Sequence, residues 1–197
     1  STPATDATPP KVDPVALAES LAAAAEKSAK VIGDFAARNA KTGAAQWTVD
    51  TLPPNTFHSI TGAPRTFNGK VIIGNGGADA AQRGFVTAYD QATGRQLWRF
   101  YTTPGKPGDD AGDAVMEMAA RTWSGEYWKA GGGGGTVWNG ITFDAELNRI
   151  YLGTGNGGPY NPRVRSPGGG DNLFLASIVA LDADTGKYAW HYQVNPG

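Results

Sequence analysis

Few side chains in this sequence of 197 residues are of the types that carry enzyme chemistry by themselves. Cysteine is absent, which excludes thiolate catalysis, disulfides and Cys-ligated zinc or iron–sulfur sites. The two histidines, His58 and His191, are far apart, so each is expected to be a packed or strand-surface side chain rather than a ligand. Glu117 and Glu126 fall in a long loop, where solvated carboxylates are expected.

Two glycine-rich segments imitate phosphate-binding loops. Residues 153–158 have the G-x-G-x-x-G spacing of a dinucleotide site, but Pro159 and Pro162 follow where a helix would have to begin. Residues 131–135 are all glycine, but no Gly-Lys-Ser/Thr follows them. We interpret the first as a loop and the second as a flexible approach to a strand.

One aspartate-rich segment imitates a calcium loop. Asp182, Asp184 and Gly186 match the start of an EF-hand, but Gln193 stands at the twelfth position, where a glutamate would bind the ion. No helix is predicted on either side. The segment is therefore predicted to be a hairpin turn.

The overall charge and hydropathy pattern excludes two classes of partner. The 18 acidic and 17 basic residues nearly cancel, so nothing in the charge predicts binding to nucleic acid. No uncharged apolar run reaches the length of a membrane span, and the N-terminus does not look like a secretion signal.

The first 45 residues differ in composition from the rest. Residues 1–12 are rich in Pro, Thr and Ala and are expected to be a disordered lead. Asp13 is a candidate N-cap followed by Pro14, and an Ala-rich apolar stripe with helical spacing runs from Leu17 to Phe35. Gly43 would terminate it. We therefore predict an amphipathic helix over residues 13–45, a docking or self-association element.

From residue 46 onward the sequence predicts short strands arranged in a tandem repeat. Gly and Asn punctuate aromatic and β-branched runs. Residues 69–77 match residues 148–156, and residues 86–98 match residues 179–190 with one residue of slack. Each copy ends with Asp, Thr and Gly followed by a tryptophan, at Trp98 and Trp190. A further strand precedes each copy, over residues 59–66 and 136–143. Two four-stranded units result.

The turn residues of the repeat have structural roles. Asp90 and Asp182 can accept hydrogen bonds from the backbone N–H groups that follow them, and Gly94 and Gly186 can adopt the positive φ that a bulged hairpin needs. Trp98 and Trp190 are expected to fill the space between neighbouring sheets.

These features predict a mainly β fold: two four-stranded antiparallel blades of an incomplete eight-bladed β-propeller, preceded by one N-terminal helix. The domain boundaries follow as 1–12, 13–45 and 46–197. Two blades do not close a ring, so we expect exposed apolar blade faces that allow self-association.

From about residue 51 the chain resembles the propeller of the pyrroloquinoline-quinone (PQQ)-dependent alcohol dehydrogenases, the quinoproteins and quinohaemoproteins. Six strings carry the resemblance: Ser59-Ile-Thr-Gly-Ala-Pro64, Ile73-Gly-Asn-Gly-Gly-Ala78, Met118-Ala-Ala-Arg-Thr-Trp123, Gly132-Gly-Gly-Gly-Thr-Val-Trp138, Gly153-Thr-Gly-Asn156 and Ser166-Pro-Gly-Gly-Gly-Asp-Asn-Leu173. The Asp-x-x-Thr-Gly-x-x-x-Trp tails of both copies add to it.

The resemblance implies a PQQ site. Trp138 matches the ring on which the planar quinone lies. Gly77, Ala78 and Thr136 match the backbone and polar contacts around the quinone, where a residue without a Cβ permits close approach.

The resemblance also implies a calcium ion beside the quinone. Asn156 matches an oxygen ligand of this ion, and Asp79 stands where the family usually has a Glu ligand. The side chain of Asp79 is shorter by one methylene, about 1.5 Å, so either the ion moves, a water intervenes or the site is weaker.

The function implied is oxidation of a small alcohol by hydride transfer to PQQ, in the periplasm, with haem c in a further domain as another cofactor that the resemblance allows. The family's catalytic aspartate is expected shortly after residue 197 and its adjacent-cysteine disulfide upstream. The remaining propeller blades are likewise expected outside this sequence. We therefore expect this chain to be inactive alone.

Two other functions are consistent with the sequence. A non-catalytic propeller would keep the tryptophan tails and serve protein contacts only. Residues 12–41 resemble the N-terminal helix of class I polyhydroxyalkanoate synthases, which implies association with polyester granules.

Overall fold

The computed structural model describes residues 34–38, 41–130 and 132–196. The sequence divides into two units, residues 1–32 and 33–197, and all described residues belong to the second. The disordered lead predicted for residues 1–12 and most of the predicted helix lie outside the described residues.

Two four-stranded antiparallel sheets form most of the described structure. The first contains β3 (Arg65–Phe67), β4 (Lys70–Gly74), β5 (Phe85–Asp90) and β6 (Gln96–Tyr101), paired in that order. The second contains β7 (Ile141–Asp144), β8 (Arg149–Gly153), β9 (Ser177–Asp182) and β10 (Tyr188–Gln193), also in chain order. The prediction of two meandering blades is confirmed. The first strand of each is shorter than predicted, because residues 59–64 and 136–140 are not strand.

A two-stranded hairpin, called the third hairpin below, precedes these sheets and lies partly where a helix was predicted. Strand β1 (Asp34–Arg38) pairs antiparallel with β2 (Ala45–Asp50). The helix prediction is therefore wrong over residues 34–38, and the β-structure begins before residue 46. Phe35 is the last residue of the predicted helical stripe. Its segment is rich in alanine, which favours a helix, but cross-strand pairing overrides this local propensity.

The third hairpin is a further copy of the repeat that the sequence analysis missed. The β1–β2, β5–β6 and β9–β10 hairpins each have a bulge next to the turn. In each hairpin a tryptophan pairs with an alanine on the opposite strand: Ala37 with Trp47, Ala88 with Trp98 and Ala180 with Trp190. The turn glycines Gly43, Gly94 and Gly186 have φ of 70°, 73° and 69°. The signal in the sequence is Asn39-x-x-Thr-Gly-x-x-x-Trp47, in which asparagine replaces the aspartate.

The tryptophans join each hairpin to the next sheet. The Trp47 indole N–H donates to the Gln91 carbonyl at 3.0 Å, and the Trp98 indole N–H donates to the Ala183 carbonyl at 3.3 Å. Both acceptors directly follow a turn aspartate, so the geometry repeats from sheet to sheet. Trp98 is 8% exposed, whereas Trp190, which has no following sheet in the described structure, is 45% exposed.

The turn aspartates have the predicted structural role. Asp182 Oδ1 accepts hydrogen bonds from the backbone N–H groups of Asp184 and Thr185 and from the Thr185 hydroxyl. Asp90 makes the corresponding bonds in the first sheet. These bonds hold the pKa of both carboxyls below the usual range. The interpretation of the 182–186 segment as a hairpin turn is confirmed.

The core lies between the two sheets and is closed by a short helix. Helix α1 (Ala114–Ala120) begins at the N-cap Asp113, whose carboxylate accepts from the Val115 and Met116 N–H groups. Its buried Met116 belongs to the core, which includes Ile72, Val86, Trp98, Phe100, Ile150, Leu152, Phe174, Val179 and Leu181. None of the helices in the described ranges is long and apolar enough to cross a membrane.

Both histidines are packed, as predicted. The His58 ring contacts the Thr56 hydroxyl and the Arg83 carbonyl at 2.7 and 3.0 Å, and the His191 ring contacts the Tyr188 hydroxyl at 2.7 Å. Burial lowers the pKa of each imidazole.

Candidate functional site

Three connecting segments meet at one end of the two sheets. They are residues 75–84 between β4 and β5, residues 132–140 before β7, and residues 154–176 between β8 and β9. Because β7 and β8 are antiparallel, the first residue of β7 and the last residue of β8 lie at the same end of the sheet. All six predicted site residues lie on these segments.

Asp79 and Asn156, predicted as ion ligands, are in contact. Asp79 lies in a 3₁₀ turn (Ala78–Ala80), and the Asn156 amide donates to Asp79 Oδ1 at 3.2 Å although the two are 77 residues apart. Asn156 also donates to the Gly157 carbonyl, at 3.2 Å. The contact joins the connecting segments of the two sheets. The amide nitrogen of Asn156 makes this contact with the Asp79 carboxylate, and both side chains carry hard oxygen donors of the kind that calcium takes.

These two side chains fit part of a calcium shell. Calcium takes about six to eight oxygen ligands, and the pair supplies a minority of them. Over residues 41–130 and 132–196, no group of three or more His, Cys, Asp or Glu side chains could hold a metal ion. The other oxygens would have to come from backbone carbonyls, a bound ligand, water or residues elsewhere.

Trp138 presents an aromatic surface next to Asn156. Its side chain is 48% exposed although Val137 before it is buried. Gly155 lies directly against the indole, since a Cβ there would come within 3.0 Å of Trp138 Nε1, and the Gly155 N–H donates to the Thr136 carbonyl at 2.9 Å. A half-exposed indole backed by glycine can accept a flat ring by stacking.

Thr136 carries an unsatisfied buried hydroxyl. The residue is 1% exposed, and its Oγ1 is sealed from solvent without a hydrogen-bond partner. Such a group is uncommon in folded proteins because it loses its bonds to water without replacement. A bound polar group that reaches this hydroxyl would remove that penalty, so Thr136 fits a ligand contact.

Gly77 and Ala78 pack tightly between the two sheets. Gly77 has φ of 106°, and a Cβ there would lie 2.7 Å from the Phe57 carbonyl oxygen. The Ala78 carbonyl oxygen would lie 2.2 Å from a Cβ on Gly158. Packing within the protein already requires glycine at positions 77 and 158. This adds a structural reason to the predicted one, which was close approach to a cofactor.

A cavity of about 540 Å³ opens beside this site. Trp138, Asn156 and the buried Arg165 line it, whereas Gly77, Ala78, Asp79 and Thr136 do not. The structure therefore places Trp138 and Asn156 on the cavity wall. Asp79 is linked to the wall only through Asn156.

Arg165 is a site residue that the sequence analysis missed. It is 7% exposed at the end of helix α2 (Pro162–Arg165), and burial lowers the pKa of its guanidinium. In the sequence it is one arginine among polar and proline residues, with no periodicity that would reveal its burial.

The comparisons with known proteins cover most of this chain. The profile described as "PQQ: Glucose/ethanol/alcohol dehydrogenase, beta-propeller domain" matches residues 51–195. The chain is 58% identical to quinohemoprotein alcohol dehydrogenase ADH IIB of Pseudomonas putida over 166 residues, which are 84% of this chain and 24% of that protein. It is 56% identical to quinohemoprotein alcohol dehydrogenase of Comamonas testosteroni, with 84% and 24% covered.

Solved structures show the same fold. The crystal structure of the Comamonas testosteroni quinohemoprotein alcohol dehydrogenase matches with a TM-score of 0.80 and 55% identity, over 84% of this chain and 25% of that one. A europium-containing methanol dehydrogenase matches with a TM-score of 0.72 and 34% identity, over 84% and 30%. The chain thus spans about a quarter of the length of the relatives it matches.

Proposed function

Because the chain belongs to the PQQ glucose/ethanol/alcohol dehydrogenase family of β-propellers, we propose that it is part of a PQQ- and calcium-dependent dehydrogenase that oxidises small alcohols. The observation that carries the proposal is the unsatisfied Thr136 hydroxyl in the connection that also carries the half-exposed indole of Trp138. An interaction module would need neither feature, and this disfavours the alternative of a non-catalytic propeller.

Each predicted residue has a role in this proposal. Trp138 binds one face of the flat quinone, and Thr136 donates to or accepts from one of its polar atoms. Asp79 and Asn156 hold the calcium ion, and Gly77 and Ala78 keep the Asp79 turn close to the second sheet. When bound, PQQ would supply a hydride acceptor for the alcohol, and calcium would supply a Lewis acid beside it.

None of the six residues is assigned to take the proton of the alcohol. In this proposal Asp79 is committed to Asn156 and the ion, and the Thr136 hydroxyl is committed to a polar atom of the quinone. The proposal therefore places the general base elsewhere in the protein, together with the remaining blades. This chain by itself would be inactive.

Two further parts of the proposal concern the parent protein. Relatives at 58% and 56% identity are named quinohemoproteins, which favours a haem c domain beyond the propeller. A periplasmic location belongs to the same proposal. Granule association through residues 12–41 stays a prediction, because most of that segment lies outside the described residues.

The substitution Thr136→Val tests the cofactor role directly. Because the hydroxyl has no partner, the variant without cofactor should be as stable as the wild type or slightly more stable. Its affinity for PQQ in the presence of calcium should fall about three- to tenfold, the effect of one lost hydrogen bond. Binding is measured by isothermal titration calorimetry, and stability by urea unfolding.

Thr154→Val is the matched control. The Thr154 hydroxyl is also buried but donates to the carbonyls of Phe174 and Ser177, so this variant should be clearly destabilised, by about 1–3 kcal/mol. If Thr136→Val is destabilised equally and binds PQQ as well as the wild type does, the assigned role of Thr136 is wrong.

A further inference from the structure

Arg165 is a buried cation whose hydrogen bonds all go to neutral groups. Its Nε donates to Asn172 Oδ1 at 3.0 Å, and its Nη1 donates to the carbonyls of Pro159 and Tyr160 at 2.8 and 3.0 Å. Gly157 packs against the guanidinium so closely that a Cβ there would lie 2.6 Å from Cζ. The guanidinium is thus held in one position by the backbone on either side of it.

No carboxylate in the described part of the chain forms an ion pair with this guanidinium. The ion pairs in the described part of the chain are Lys70–Asp184, Arg83–Asp110, Lys129–Glu126 and Arg149–Asp182. Arg83, which is buried to the same extent as Arg165, has Asp110 as its partner at 2.5 Å. Burying a charge without a partner of opposite sign is costly. Arg165 therefore differs from the other buried arginine in lacking an anion.

The guanidinium of Arg165 has one nitrogen without a hydrogen bond, and the residue lines the 540 Å³ cavity. Arg165 Nη2 makes no hydrogen bond within the described residues, yet among their side chains only Trp128 Nε1 and Thr136 Oγ1 are sealed without a partner. Nη2 therefore keeps accessible surface, and Arg165 is one of the residues that line this cavity. Leu175 and Trp138 line the same cavity, which makes its wall partly apolar.

We infer that Arg165 anchors a binding subsite for a carboxylate group at the wall of this cavity. A guanidinium N–H group forms a strong charge-assisted hydrogen bond with a carboxylate oxygen, and Nη2 is the nitrogen that remains to donate one. The cavity wall also includes Asp171, whose charge opposes a dianion. A singly charged carboxylate attached to an apolar or aromatic group fits this combination. The inference goes beyond the proposed function, because the subsite does not require a quinone or a metal ion.

Benzoate is the probe, and its neutral isostere benzamide is the control ligand. The chain is titrated with each at constant ionic strength, and binding is followed by the shift of the indole N–H signals in NMR spectra. Saturable binding of benzoate, at least tenfold tighter than binding of benzamide, is expected. Equal binding of the two ligands, or no saturable binding of benzoate, would overturn the inference.

Three variants assign the binding to Arg165. Arg165→Gln should lose benzoate binding at least tenfold, and Arg165→Lys should bind with intermediate affinity. Arg163→Gln removes an exposed charge two residues earlier on α2 and should bind as the wild type does. Unchanged binding in Arg165→Gln contradicts the inference. If Arg165→Gln does not fold, Arg165→Lys and the comparison of benzoate with benzamide still test the inference.

The carboxylate could belong to the quinone itself or to a separate small molecule, and competition distinguishes the two sources. If PQQ with calcium displaces benzoate, Arg165 binds a carboxylate of the quinone. If both bind together, the subsite takes a separate carboxylate. Absence of PQQ binding with benzoate binding intact would refute the proposed function while supporting the subsite.

Discussion

Replacing Gly186 by alanine tests how the two sheets are joined. Gly186 has φ of 69°, and a Cβ there would lie 2.5 Å from Trp98 Cδ2, far inside a normal carbon–carbon contact of about 3.5–4.0 Å. Alanine in the left-handed region costs about 1–2 kcal/mol, and displacing a packed ring adds about 1–3 kcal/mol. We therefore expect Gly186→Ala to lower the free energy of unfolding by about 2–5 kcal/mol.

Gly69→Ala is the matched control for this substitution. Gly69 has almost the same φ, 70°, but a Cβ there would meet no atom within 4 Å. The backbone strain and the effect on the unfolded chain are therefore the same in Gly69→Ala and Gly186→Ala, and the two variants differ only in the contact with the tryptophan. Gly69→Ala should be destabilised by only about 1–2 kcal/mol. Both variants are measured by urea unfolding with circular dichroism.

A double-mutant cycle isolates the contact. In a Trp98→Leu background the ring is absent, so Gly186→Ala should become no more costly than Gly69→Ala. Equal destabilisation of Gly186→Ala and Gly69→Ala in the wild-type background would refute the reasoning. The reasoning would also be refuted if Gly186→Ala remained more destabilising than Gly69→Ala in the Trp98→Leu background.

Two further predictions concern pH and the ion site. Because burial lowers the pKa of His58 and His191, the unfolded chain takes up protons before the folded chain does as the pH falls below about 6.5. The urea midpoint of unfolding should therefore be constant above pH 7 and fall from about pH 6.5 downward. A His58→Gln/His191→Gln double variant should show a smaller fall. A wild-type midpoint that does not change from pH 7.5 to 5 would contradict the prediction. At the ion site, Asp79→Glu should bind terbium about tenfold more tightly than the wild type, an increment of about 1.4 kcal/mol, because one methylene extends the carboxylate toward the ion. Tryptophan-sensitised luminescence measures the affinity, and the control Asp79→Asn should bind more weakly. Equal affinities in all three proteins would show that Asp79 is not a ligand.

Much of the fold could be predicted because its signals are local. Asp90 and Gly94 form their turn with hydrogen bonds that span two to four residues, and alternation and turn residues indicate the strands around it. The third copy was missed because one residue of its turn differs and because alanine-rich sequence suits a helix. Only pairing of β1 with β2, across the turn, decides that these residues form a strand.

The candidate site divides in the same way. The sequence by itself determined which residue types are present and, through the family motifs, which of them belong near a quinone and an ion. Tertiary structure alone decided that Asn156 touches Asp79, that Thr136 is sealed without a partner and that Arg165 is buried without an anion. Contact, burial and charge compensation depend on segments that lie far apart in the chain. Residue order cannot specify them until the sheets have packed.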